Sequence, residues 1–177
     1  MQLKPEKEDV DCCSIDRLIA KLNAKSKQAS FFERLELIDQ HPIDWQDVRK
    51  HVFRNPVEYH REKVETNSLF QLLILTWLPG QKSEIHNHRG SHCVVRVLSG
   101  MATETIYVPG PNKSFSTKKM SYAVDSTFGG QDDDIHTLEN AMEAIQDLIT
   151  MHVYFPELES MELFAAEDGR LVQSIDC

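Results

Sequence analysis

Basic charge is in short supply: Lys and Arg total 19 against 28 Asp and Glu, a net charge of −9 with histidine neutral. That balance gives a broad phosphate-binding surface no electrostatic support, so no nucleic-acid partner is expected. Long apolar runs are missing too. The longest, Leu72 to Leu78 and Ile149 to Phe155, are far too short to span a bilayer, and no membrane role is expected. The opening Met1-Gln2-Leu3-Lys4-Pro5 leads straight into Glu6, Lys7, Glu8 and Asp9, with neither an apolar stretch nor a small-residue cleavage site. No secretory signal is expected. Cysteine is sparse: of the 4, Cys12 and Cys13 are adjacent, Cys93 stands mid-chain and Cys177 comes last. This is neither a disulfide ladder nor a C-x-x-C metal pair, and a reducing, cytoplasmic setting follows as the expectation. What is present is an ordinary globular mixture, 41% hydrophobic and 27% charged. At 177 residues, without internal repeats or low-complexity stretches, the chain is expected to form one domain, 1–177.

Two textures divide it. Residues 14–54 read as helical: Ser14 is a candidate N-cap before Leu18, Ile19 and Leu22, and Ser30 with Glu33 forms a capping-box pattern ahead of Phe32, Leu35 and Leu37. Asp44 is positioned to cap a third helix carrying Val48 and Val52. From about 57 to 175 the chain breaks into short β-rich runs: Val57–Val64, Leu69–Trp77, His92–Leu98, Met101–Val108, Tyr122–Phe128, Leu148–Phe155 and Met161–Ala165. Gly80, Gly90, Gly100, Gly110 and Gly129-Gly130 punctuate them. Many short strands in series mean a mainly β fold, an antiparallel sandwich or small barrel with the helical segment packed on it.

Among the 8 histidines, His86 and His88 form an H-x-H. In a strand, positions i and i+2 share a face, so both imidazoles can converge on one ion at about 2.0–2.2 Å. The same spacing also describes the wet face of an antiparallel strand carrying Glu84, His86 and His88. The surroundings bear on the choice. Gly80, His86-Asn87-His88, Cys93 and Gly100 follow one another at set intervals, and His136-Thr137-Leu138-Glu139-Asn140 comes downstream. This arrangement resembles the two motifs of the cupin superfamily. The usual glutamate ligand of the first motif is replaced by Cys93, and the Pro-x-Gly of the second is missing, with Gln131 and Asp133 in its place.

A cupin with cysteine at that position is similar to the cysteine dioxygenase type I family, whose core signature resembles residues 86–93. Three further pieces resemble the same family: Tyr59-His60-Arg61 its Tyr-x-Arg, Thr150-Met151-His152-Val153-Tyr154 its Ser-x-His-x-Tyr, and Phe155-Pro156 its cis Ser-Pro peptide. The resemblance implies a cupin-type antiparallel, jelly-roll-like β-barrel and a cytoplasmic enzyme using Fe(II) and O2 to oxidise L-cysteine to its sulfinic acid. It implies His86, His88 and His136 as metal ligands, with Arg61 and Tyr59 holding the substrate carboxylate. Tyr154, His152 and Cys93 would be catalytic, supported by Thr150. In the resembling animal enzymes, the cysteine and tyrosine at the positions of Cys93 and Tyr154 join through a thioether.

Ligand type alone does not choose the metal, since three-histidine sites also hold zinc. Three neutral imidazoles leave a divalent cation's full charge available, which suits a thiol substrate because the cation stabilises the thiolate. Arg61 can grip a carboxylate through two parallel hydrogen bonds. Without the other matches it reads as a surface arginine among Glu58, Glu62 and Glu65. Thr150, His152 and Tyr154 alternate with Ile149, Met151, Val153 and Phe155, the pattern of a half-solvated strand or, inside a barrel, of a hydrogen-bonded face behind a metal. His92 reads as a pocket-edge or surface histidine, His41 and His51 as bland, Asp132–Asp134 as a solvated acidic loop, and Lys118-Lys119 as an exposed pair between strands. Two alternatives stay open: a dioxygenase for another small thiol such as 3-mercaptopropionate, and a metal-binding cupin without redox chemistry. A monomer is expected.

Overall fold

The computed structural model describes residues 13–25, 28–110, 115–131, 133–166 and 169–176. Among the described residues three short helices precede the strands: α1 (Ser14–Ala24), α2 (Phe31–Gln40) and α3 (Trp45–Val48), the last running into a 3₁₀ turn at Arg49–His51. The strands follow as β1 (His60–Thr66), β2 (Gln71–Trp77), β3 (His92–Ser99), β4 (Met101–Pro109), β5 (Phe115–Ala123), β6 (Thr127–Gly130), β7 (Ile135–Glu139), β8 (Leu148–Phe155), β9 (Ser160–Phe164) and β10 (Leu171–Asp176).

The helix starts are set by side-chain oxygens. Ser30 and Glu33 form the full reciprocal capping box at the head of α2, and Asp44 accepts from the Gln46 N–H at the head of α3. Ser14 does something other than cap. It is the first residue of α1, and its backbone N–H and hydroxyl both donate to Asp47 Oδ2, at 2.7 and 2.8 Å, tying α1 to α3. Val52 falls beyond the third helix, which ends after a single turn.

Ordered β1-β2-β8-β3-β6, the larger sheet faces a three-stranded sheet, β5-β4-β7, while β9 and β10 make a separate pair. The strands thus form three hydrogen-bonded sheets around an interior rather than one continuously closed ladder. At the hairpin between β3 and β4, Gly100 has φ +81, and a Cβ there would sit 2.9 Å from the Asp147 carbonyl oxygen. Only glycine fits that turn.

Alternation in β2 and β8 sends side chains into two separate cores. Outward, Leu72, Ile74, Met151, Val153 and Phe155 meet Ile15, Leu18, Leu22 and Ile38 of the helices. Inward, Leu73, Leu75, Trp77, Leu148 and Tyr154 meet Val95, Leu138 and Met161. Each fully buried aliphatic contributes about 1.5–3 kcal/mol, so the helical layer is held on chiefly by this contact. Arg96 adds a polar tie: its buried guanidinium donates to the carbonyls of Ile38 and His41 at the end of α2. His41, read as bland from sequence, is buried with Nε2 2.9 Å from the Ser14 carbonyl oxygen.

Several strand boundaries shift by one to three residues from the sequence reading, β1 running His60–Thr66 rather than Val57–Val64, and the larger differences lie further along the chain. The Tyr122–Phe128 run is the end of β5, a turn and the start of β6, with Asp125 supplying the positive φ of 67 at the turn. Aspartate tolerates that conformation, so no glycine marks the break. Lys118 and Lys119 consequently lie within β5. Two strands, β7 and β10, were not anticipated. Asp132 lies outside the described residues, and the Asp134 carboxylate accepts from the Gln131 N–H at 2.7 Å.

Candidate metal centre

The H-x-H segment is not a strand. It is an irregular stretch pinned by isolated bridges from His86 to His136 and to Leu163, with the His86 and His136 backbones exchanging hydrogen bonds of 3.0 and 2.9 Å. Those bridges carry His136, at the start of β7, to the H-x-H pair. Side-chain nitrogens of His86, His88 and His136 lie within 4.8 Å of one another, all buried. The ring centroids are 4.8–5.2 Å apart, and His136 Nε2 is 3.3 Å from His88 Nε2. Burial holds His86 and His88 neutral: His86 is pushed down to about 3, with His136 as a further cause, and His88 well below the ordinary histidine value. Three buried imidazoles converging on one chamber are a ligand set for a divalent cation.

Behind the rings the three differ. His86 Nδ1 is 2.8 Å from the Glu84 carbonyl oxygen, and His136 Nδ1 is 2.7 Å from Glu104 Oε1. His88 Nδ1 is buried without a hydrogen-bond partner among the described residues.

β8 lies along one wall, and every one of its residues is buried. The alternation that reads as half-solvated therefore separates two interiors. On the inner face, the Trp77 indole N–H donates to Thr150 Oγ1 at 2.9 Å, and Thr150 Oγ1 is 3.0 Å from His152 Nε2. His152 Nδ1 is 3.5 Å from the Tyr154 hydroxyl and 3.8 Å from Cys93 Sγ. The indole fills one lone pair of Thr150, and the threonine hydroxyl bonds the His152 ring at Nε2 while Nδ1 faces Tyr154 and Cys93. Burial, then the Arg61 cation, hold His152 well below its ordinary value. Burial, then the neighbouring Cys93, push the Tyr154 hydroxyl well up, and burial likewise raises the Cys93 thiol. Cys93 on β3 and Tyr154 on β8 are direct cross-strand partners, and the Tyr154 ring packs edge-on to His88 at 5.3 Å.

Arg61, in β1, and Tyr59, just before it, line the chamber together with the three histidines, His152 and Tyr154. Tyr59 is stacked on Trp77, centroids 4.0 Å apart. Tyr59, Arg61, His86 and Met161 also line an outer cleft of about 800 Å³. Arg61 thus stands where the cleft opens onto the metal-ligand set. Every site residue named from the sequence is gathered here except His92, which points to the other side of β3, against Phe31. Sequence reasoning missed Trp77, Glu104 and Met161. Each sits in an ordinary strand pattern, and only the pairing of distant strands makes it part of the site.

An interior walled by facing antiparallel sheets, with ligands presented from its loops and strand ends, is the double-stranded β-helix of the cupins. A Klebsiella pneumoniae protein with a double-stranded β-helix domain superposes with a TM-score of 0.54 at 19% identity, covering 66% of this chain and 87% of that one. A Thermus thermophilus protein does so with a TM-score of 0.53 at 20% identity, covering 63% and 95%. The family model for cysteine dioxygenase type I matches residues 14–167. The chain belongs to that family. It is 27% identical over 140 residues to human cysteine dioxygenase type 1, covering 76% of this chain and 68% of the human one. The corresponding zebrafish (Danio rerio) protein is 27% identical over 147 residues.

Proposed function

We propose that this protein is an iron(II)-dependent thiol dioxygenase that adds both atoms of O2 to the sulfur of L-cysteine, giving cysteine sulfinic acid. The observation that carries the reading beyond family membership is the position of Arg61, a guanidinium at the junction of the outer cleft and a buried three-histidine set. His86, His88 and His136 would hold the metal. Bound there, ferrous iron supplies the redox chemistry with dioxygen and favours the thiolate of a coordinated substrate.

The chain's own residues do the rest. Arg61 takes the substrate carboxylate in its planar fork, with Tyr59 beside it, and so sets where the sulfur falls. His152, kept neutral by burial, holds the Tyr154 hydroxyl in place, and that hydroxyl, raised well above the ordinary tyrosine value, stays a proton donor into the chamber. Cys93 lies against the same imidazole, and its pairing with Tyr154 supports a thioether between them. Leu75, Leu138 and Met161 line the remaining wall and keep bulk water out.

The test is to load the protein anaerobically with Fe(II) and follow oxygen uptake and product mass on L-cysteine, 3-mercaptopropionate and cysteamine. Cysteine should be preferred, with a mass gain of two oxygen atoms. Preference for 3-mercaptopropionate moves the assignment to another small thiol, and no uptake on any of the three rejects an oxygenase.

A further inference from the structure

The three candidate ligands are backed unequally: a carboxylate stands behind His136, a backbone carbonyl behind His86, and, among the described residues, no hydrogen-bonding group behind His88 Nδ1. We infer that Glu104 is a positioning residue for the metal centre, holding His136 in the tautomer that presents Nε2 to the chamber and making it the strongest donor of the three. The inference rests on the reading that His86, His88 and His136 bind a divalent cation.

Strand geometry places the pair. On β4, Ile106 is the cross-strand partner of His136 and Glu104 lies two residues away, so Glu104 and His136 are diagonal neighbours on one face. Glu104 Oε1 is 2.7 Å from His136 Nδ1, and both side chains are 7% exposed. The second oxygen, Oε2, accepts from the Tyr122 hydroxyl at 3.1 Å. The Tyr122 ring is itself clamped flat on Phe128, centroids 3.7 Å apart and planes within 6°. Burial and the facing Glu104 carboxylate push Tyr122 up to about 12, so it remains a donor at any physiological pH. The carboxylate is therefore held at both oxygens and has little freedom to turn from the imidazole.

The physical consequence is charge placed one ring from the cation. A carboxylate accepting Nδ1–H raises electron density at Nε2 and strengthens the metal bond, and loss of such a partner typically costs 10–100-fold in affinity. Three neutral imidazoles leave a bound dication uncompensated, and Glu104 returns negative charge without occupying a coordination position. A bound cation would in turn offset the desolvation of this buried carboxylate.

The experiment uses Zn(II) alone as the probe, titrated into metal-free protein against a chromophoric chelator. Glu104→Gln preserves an acceptor for Nδ1–H but removes the charge, so it should weaken Zn(II) binding about 10–100-fold while the far-UV circular dichroism of the metal-free protein is unchanged. An affinity within about twofold of the wild type would overturn the inference, and absence of Zn(II) binding by the wild type would overturn the metal reading beneath it. Should the variant not fold, proton NMR of the wild-type Zn(II) form with ¹⁵N-labelled histidine decides the matter. The His136 Nδ1–H should resonate downfield of that of His86 and exchange more slowly with water, and matching shifts and exchange rates would refute the special role of Glu104.

Discussion

Replacing Thr150 by valine probes the hydrogen-bonded line behind the candidate site at its midpoint. Valine is close in shape, so packing is conserved and no cavity opens; what disappears is a hydroxyl that is completely buried. Two groups lose their partner, the Trp77 indole N–H at 2.9 Å and His152 Nε2 at 3.0 Å. An orphaned buried polar group costs about 1–3 kcal/mol, so the substitution should lower stability by about 2–6 kcal/mol, a large part of the roughly 5–15 kcal/mol of a typical domain. Urea unfolding at neutral pH measures this, with an unchanged m-value showing that only stability has moved. Thr150→Ser keeps both bonds and should stay within about 1 kcal/mol of the wild type. Adding Trp77→Phe to Thr150→Val removes the stranded N–H, so the double variant should be less destabilised than the sum of the singles by about 1–2 kcal/mol. In turnover, His152 loses the contact that holds its ring toward Tyr154, and kcat should drop by about tenfold, equivalent to about 1.4 kcal/mol, with KM for the thiol little altered. A Thr150→Val protein within about 0.5 kcal/mol of the wild type and with full kcat would refute this account of the wall.

Arg61→Ala should raise KM for carboxylate-bearing thiols by tenfold or more while leaving turnover of cysteamine near the wild-type level; equal losses on both, measured by oxygen uptake, would remove Arg61 from substrate selection. His86→Ala should abolish stoichiometric metal retention after desalting, and a variant that keeps a full equivalent by elemental analysis would take His86 out of the ligand set. The Asp47 carboxyl is held well below its ordinary 3.8 by the Ser14 N–H, the Ser14 hydroxyl and Lys50, so its contribution is complete above that value and fades as the pH falls below it. Asp47→Asn should therefore lower the melting temperature at pH 7, with the gap to wild type closing toward about pH 2. Intact-protein mass after turnover with iron and oxygen should show loss of two hydrogen atoms as Cys93 and Tyr154 join, and an unchanged mass after many turnovers would reject the crosslink.

Much of the molecule can be read from local pattern, because local pattern reflects local physics. The capping box at Ser30 and Glu33, the alternation of β8 and the H-x-H of His86 and His88 are each decided within a few residues. The strands that escaped notice did so for opposite reasons. Four of the five residues of β7 are buried although two of them, His136 and Thr137, are polar, so no apolar run announces the strand. β10 is exposed along nearly its whole length and, among the described residues, pairs with β9 alone, so no burial pattern marks it. The turn at Asp125 hid because an aspartate, rather than a glycine, takes the positive φ.

By itself the sequence determined the mainly β class, the helical segment before it, and the residue types able to bind a cation, a carboxylate and a proton. Tertiary structure alone decided which faces were dry. It turned β8 into a wall buried on both sides, brought His136 across by bridges to the H-x-H segment, and set Trp77 behind Thr150 and Glu104 behind His136. A side chain's chemistry is written in its identity, but its basicity, protonation and hydrogen-bond partner depend on neighbours that arrive from distant strands, and those neighbours are chosen only when the sheets close around a common interior.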